Sequence, residues 1–173
     1  YDSRHGEYRG SIINLKPHTE YQVELSSGGA NAKLTFKTRN DVFPIGKTTI
    51  LPAGESGKTV VITESGTPDA YHLVTVPLSA KSVLNLRNMY DHGIVVDADY
   101  VIIRGVEIRN ARVHGIRIAS GKHDIVVEEC YITFWGRIGG PITYGNFEGN
   151  MDSGVSAERG AWNLTIQRNL IEE

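Results

Sequence analysis

Three segments of this chain align with one another without gaps, and that repetition limits the fold more than any other feature. They are Tyr100-Val-Ile-Ile-Arg-Gly-Val-Glu-Ile, Asp124-Ile-Val-Val-Glu-Glu-Cys-Tyr-Ile and Asn163-Leu-Thr-Ile-Gln-Arg-Asn-Leu-Ile. A shorter unit precedes each: Gly93-Ile-Val-Val-Asp, Gly115-Ile-Arg-Ile-Ala and Gly154-Val-Ser-Ala-Glu. Gly93 and Gly115 are 22 residues apart and Gly115 and Gly154 are 39 apart. If one repeat is about 22 residues, the later interval carries an insertion of about 17. Gly, Pro and Asn cluster between Trp135 and Ser153 and alternation disappears there, which places the insertion at about 135–153.

Each repeat alternates apolar and other residues with period two, the pattern of a strand with one buried face. Stacking the repeats puts Val101, Ile125 and Leu164 in one inward column and Ile103, Val127 and Ile166 in the next. Val106, Cys130 and Asn169 form a third column, and Ile108, Ile132 and Ile171 a fourth. Columns of β-branched residues are what a solenoid requires, because each repeat buries its apolar edge only against its neighbours. An inward Asn169 is tolerable only if its amide bonds backbone groups at a turn. Cys130, the only cysteine, stands in an inward column and reads as a buried, unreactive thiol.

With these columns in place, the Gly-Ile-x-Ile starts and the Val-Ile-Ile-Arg-Gly-Val-x-Ile strand followed by Asn110 resemble the right-handed parallel β-helix proteins. That group includes pectate lyases, polygalacturonases and related polysaccharide enzymes. The resemblance runs from about Thr48 to Glu173, with two more diverged repeats near Thr59-Val-Val-Ile-Thr and Val83-Leu-Asn-Leu-Arg. The expected fold is therefore all-β: a right-handed parallel β-helix over 41–173 and a short antiparallel, sandwich-like segment over 1–40. Within the latter, the Leu15-x-Pro17-x-Thr19-x-Tyr21 spacing resembles the tyrosine corner of fibronectin type III domains, of which about the last three strands would be present. A short β-cap over the helix end is the alternative. The chain stops at Leu170-Ile-Glu-Glu inside a repeat, so a fragment is expected, with further coils or a partner chain covering that end.

Net charge is -2 with scattered Lys and Arg, which argues against a nucleic-acid partner. No apolar run approaches the roughly 18 residues that span a bilayer, so no membrane partner is expected. Tyr1 opens directly into polar sequence, and no signal peptide is visible.

Stacked strands bring outward residues of successive coils about 4.8 Å apart, a spacing that suits paired carboxylates, or a base and a cation, acting on a sugar chain. Two groups of residues fit. The first surrounds the repeat-starting glycines: His92, His114 and Ser153 form one row, with Asp91 and Asp152 beside it, Arg112 close by, and Glu158 at the position equivalent to Asp97. Asp91, His92, His114, Asp152 and Glu158 are the candidate catalytic residues. The competing reading is that His and Asp at tight turns cap backbone N–H groups. The second group is the insertion, where Trp135, Arg137, Tyr144 and Glu148 join Arg112 as candidate substrate-binding residues. Its aromatics would otherwise pack back onto the coils.

No zinc spacing, P-loop or nucleophile elbow is present, and no metal ligands are assigned. Adjacent aspartates of the polygalacturonase kind are missing, as is a calcium-ligating Asp cluster of the pectate lyase kind. Calcium as a cofactor thus has no support in the sequence. Asn163-Leu-Thr is a formal glycosylation sequon that reads as a turn. The expected function is a secreted or cell-surface protein acting on a polysaccharide, as a glycoside hydrolase or a lyase, with the glycan along the helix face. The alternative is a non-catalytic structural or adhesive scaffold.

Overall fold

The computed structural model describes residues 3–4, 6, 10–38, 40–137 and 152–172, and the chain divides into two compact units, Tyr1–Phe43 and Pro44–Glu173. Among the described residues every regular element is a strand.

Among the described residues the first unit holds one antiparallel pair, β1 (Glu20–Ser27) and β2 (Ala30–Lys37). Gly28 and Gly29 supply the positive φ that lets so short a connection reverse the chain. Tyr21 and Phe36 sit opposite each other in the register and their rings stack with centroids 6.0 Å apart. The Tyr21 hydroxyl accepts the backbone N–H of Lys16 at 2.7 Å, which ties the strand to the chain before Pro17.

The second unit is built by repetition. Its strands are β3 (Ile45–Ile50), β4 (Gly54–Ser56) and β5 (Val60–Ile62), then β6 (Tyr71–Thr75), β7 (Ser82–Asn85) and β8 (His92–Val96). There follow β9 (Val101–Arg104), β10 (Glu107–Arg109) and β11 (His114–Ile118), then β12 (His123–Glu128), β13 (Tyr131–Thr133) and β14 (Ser153–Ala157), and finally β15 (Trp162–Gln167) and β16 (Leu170–Glu172). Each strand pairs in parallel with the strand three places later, which produces three stacked sheets: β3-β6-β9-β12-β15, β4-β7-β10-β13-β16 and β5-β8-β11-β14. The chain thus visits the three sheets in turn, one circuit after another, an arrangement compatible with a β-helix.

The register follows the repeat alignment. Val101 pairs with Ile125 and Ile125 with Leu164; Ile108 pairs with Ile132 and Ile132 with Ile171. The more diverged repeats join the same stacks, with Val60 and Ile62 beside Ile94 and Val96, and Val83 beside Glu107. Val101, Ile103, Val106, Ile108, Ile116, Ile118, Ile125, Val127 and Ile132 lie in one fully buried cluster. Inward residues of the last circuit are more open, Ile166 at 49% and Ile171 at 40%.

Strict alternation fails on one sheet. Ile102 and Val126 stand at outward positions between the inward residues, yet both are completely buried, and Leu73 beside them is only 7% exposed. None of these three belongs to the main cluster. Val101-Ile102-Ile103 and Ile125-Val126-Val127 are unbroken apolar runs, the pattern of strands covered on both faces. On the same outward face Glu128 is buried to 2% and held by Arg104 Nε at 2.7 Å, Gln167 Nε2 at 2.7 Å and Arg168 at 2.6 Å.

Two backbone features recur across the three aligned repeats. Tyr100, Asp124 and Asn163 take left-handed φ of 56°, 56° and 55° at equivalent places, and Gly105, Glu129 and Arg168 take 74°, 55° and 54° at the next turn. Only glycine adopts this region without a steric cost, so the stack imposes the turn on whichever residue arrives there. The second feature is the row Gly93, Gly115 and Gly154. A Cβ at Gly93 would lie 2.7 Å from Gly115 O, and one at Gly115 2.6 Å from Gly154 O, so the circuits close up only because no side chain intervenes.

Candidate functional site

The outward face of β8, β11 and β14 gathers most of the candidate residues. His92 pairs with His114 and His114 with Ser153, so the expected row exists. The two imidazoles stack with centroids 5.3 Å apart and planes inclined by 7°. Burial depresses the pKa of both rings. For His92 the neighbouring His114 and Arg117 add to the effect; for His114, Asp152 opposes it while Arg117 and Arg137 reinforce it. The lowering favours the neutral form of each ring. The Nδ1 of His92 is buried without a partner, whereas His114 Nδ1 accepts the Ser153 backbone N–H at 3.2 Å.

Each candidate catalytic carboxylate meets an arginine. Asp91 Oδ1 accepts from Arg112 Nε at 2.6 Å, and that bond holds the Asp91 pKa below its ordinary value. Asp152 grips Arg137 twice through the guanidinium, at 2.9 and 3.1 Å, and once through the backbone N–H at 2.7 Å. Burial alone would raise the Asp152 pKa, but these bonds outweigh it and the net shift is downward. Glu158 accepts from Arg117 Nε at 2.7 Å and from Ser120 N–H at 3.1 Å, with the same lowering result. Lys122 Nζ lies 3.1 Å from Asp97, completing a row of alternating charge.

This pattern decides what the face can do. Hydrolysis by a carboxyl pair needs one group protonated at working pH, hence a raised pKa. Asp91, Asp152 and Glu158 all move the other way. A shallow groove of ≈ 450 Å³ lies at the Glu158 end of the row, lined by His114, Ser120, Ser156, Ala157, Glu158 and Arg159. Its hydroxyl, imidazole and guanidinium groups are hydrogen-bonding chemistry suited to polyols.

No known protein family, curated protein or solved structure matches the chain. The local chemistry alone supports any functional reading.

Of the insertion residues, Trp135 is partly buried and packs against the main apolar cluster, so it serves the fold as well as flanking the site. Arg137 anchors Asp152, while Tyr144 and Glu148 lie outside the described residues. Among the described residues no group of three or more His, Cys, Asp or Glu converges well enough to hold a metal ion. Cys130 is buried, with its pKa raised to about 11 chiefly by burial, which fits an unreactive thiol.

Sequence reasoning missed Arg117, the cation of the Glu158 pair, because its partner is 41 residues away and two positions off in register. It also missed a second polar cluster. His123 Nδ1 lies 2.8 Å from Asp124, whose other oxygen receives the Asn163 amide, and His123 stacks on Trp162 at 4.7 Å. Asn163, the sequon residue, is exposed and donates its side-chain nitrogen to Asp124. The repeat alignment of Asp124 with Asn163 was the signal that could have exposed this contact.

Proposed function

We propose that the Pro44–Glu173 unit is a right-handed parallel β-helix of a secreted or cell-surface protein that acts on a polysaccharide, with the glycan lying along the β8-β11-β14 face. Right-handedness rests on the strong chiral preference of parallel crossover connections. The observation that carries the functional reading is the row His92–His114–Ser153 flanked by the Asp91–Arg112, Asp152–Arg137 and Glu158–Arg117 pairs. Such a row repeats polar groups along the stack at a spacing a chain of sugar rings can follow. The first unit fits the closing strands of a fibronectin type III-like domain, supported by the Tyr21 to Lys16 bond. Between the two catalytic chemistries, base-promoted elimination suits the face better than hydrolysis, since no candidate catalytic carboxyl is held protonated.

A second reading, a non-catalytic adhesive scaffold, is favoured by the complete pairing of those carboxylates with arginines. One experiment separates the readings: incubate the protein with uronate-rich and with neutral polysaccharides, and follow unsaturated products, reducing ends and retention on immobilised glycan. Product formation that disappears in His114→Ala, Asp152→Ala and Glu158→Ala with the fold intact supports the enzyme. Retention without product supports the scaffold. Neither product nor retention overturns the glycan reading.

A further inference from the structure

Ser153, the first residue of β14, is held by a bond with no counterpart one circuit earlier. Its backbone N–H donates to His114 Nδ1 at 3.2 Å, and its hydroxyl lies 3.3 Å from the same nitrogen. At the equivalent place the N–H of His114 donates instead to the Asp91 carbonyl at 2.9 Å. A nitrogen that accepts an N–H carries a lone pair, so the neutral His114 ring has its proton on Nε2. We propose that His114 is an acid-sensitive latch on β14: the neutral ring holds the Ser153 backbone N–H, and a proton on Nδ1 sets two donors face to face and breaks that bond.

The surroundings make release the expected response. Charged and titratable groups act on the ring from each neighbouring element: His92 stacks on it from β8 and Arg117 acts from its own strand. Asp152 and Glu158 face it from either end of β14, and Arg137 from beyond β13. Asp152 and Glu158 favour the charged ring, but each is already paired with an arginine, Arg137 and Arg117, whose charge opposes it. Burial acts in the same direction by disfavouring the charged ring. The neutral latch is complete above the ordinary histidine pKa of about 6.5 and is lost as pH falls through the lower folded-state value. Because β14 and the turn after it carry Ser156, Ala157, Glu158 and Arg159, release loosens one wall of the groove.

The latch is a property of the chain without any glycan, and it is tested without one. Ring nitrogen shifts from NMR of the full chain are expected to show the Nε2–H tautomer for His114 at neutral pH. Protection of the Ser153 amide from hydrogen exchange, corrected for intrinsic chemistry, should fall about tenfold or more between about pH 7.5 and about pH 5. The amide of Val127, in a strand that His114 does not hold, is expected to keep its protection. In His114→Asn the side-chain oxygen can take the place of Nδ1 and does not titrate, so the fall at Ser153 should vanish. An Nδ1–H tautomer, pH-independent protection in the native chain, or an undiminished fall in a folded His114→Asn would each overturn the latch. Should that variant not fold, the native tautomer and protection profile decide alone.

Discussion

The side-chain oxygen of Asn169 accepts the backbone N–H of Cys130 at 2.9 Å, and the Asn169 nitrogen donates to the Val127 carbonyl at 2.9 Å. One amide in an otherwise apolar column thus closes the turn of the preceding circuit. Asn169→Ala strands both backbone groups and should cost about 1–3 kcal/mol. Urea unfolding checks this: the midpoint should drop at unchanged slope. A variant as stable as the native chain would mean that water satisfies the turn equally well.

Glu128 is buried to 2% between Arg104 and Arg168, whose side chains are 35% and 60% exposed. Burial works against the carboxylate, but bonds from Gln167 and Arg104 and the two arginine charges prevail and lower its pKa. Glu128→Gln keeps the shape and removes the charge. It should destabilise by about 1–2 kcal/mol at neutral pH, discounted for the solvent around the arginines. The difference from the native chain should shrink as pH falls through the lowered pKa, where the native carboxyl also becomes neutral. A difference that persists unchanged into acid would assign the cost to packing.

Gly115 and Gly121 separate close approach from backbone conformation. A Cβ at Gly115 meets Gly154 O at 2.6 Å and also the Ile132 side chain, whereas Gly121, at φ 73°, has nothing within 4 Å. Gly115→Ala should therefore cost about 3 kcal/mol through overpacking. Gly121→Ala should cost about 1 kcal/mol from the left-handed backbone alone. Thermal melts of the two variants side by side suffice; equal losses would contradict the packing assignment.

Stability should fall in two stages on acidification. The depressed pKa values of His92 and His114 contribute stability that is complete above about pH 6.5 and fades below it, because the unfolded chain takes up protons first. Asp91, Asp152, Glu158 and Glu128, all lowered, contribute stability that is complete above about pH 4.5 and is lost at still lower pH. Urea midpoints measured across this range should show both declines. A flat profile down to about pH 5 would remove the histidine contribution.

The strand stacks, the inward columns and the His92–His114–Ser153 row could all be read from the repeats. The reason is that neighbouring circuits pair residue with residue, so an alignment of the sequence with itself is also a map of the register. The same logic placed Asn169 inward and named the backbone as its partner.

Other features depend on contacts that no local pattern encodes. The pairing of Arg117 with Glu158 runs diagonally between circuits, and the tautomer of His114 depends on one N–H from a strand 39 residues later. The burial of Ile102 and Val126 on an outward face, and the pairing of every candidate catalytic carboxylate with arginine, likewise appear only when the chain is folded. Period and spacing are properties of the chain itself, and they determined the circuits. Charge partners, proton positions and outer-face burial are set by side-chain geometry across circuits, so only the tertiary structure decided them.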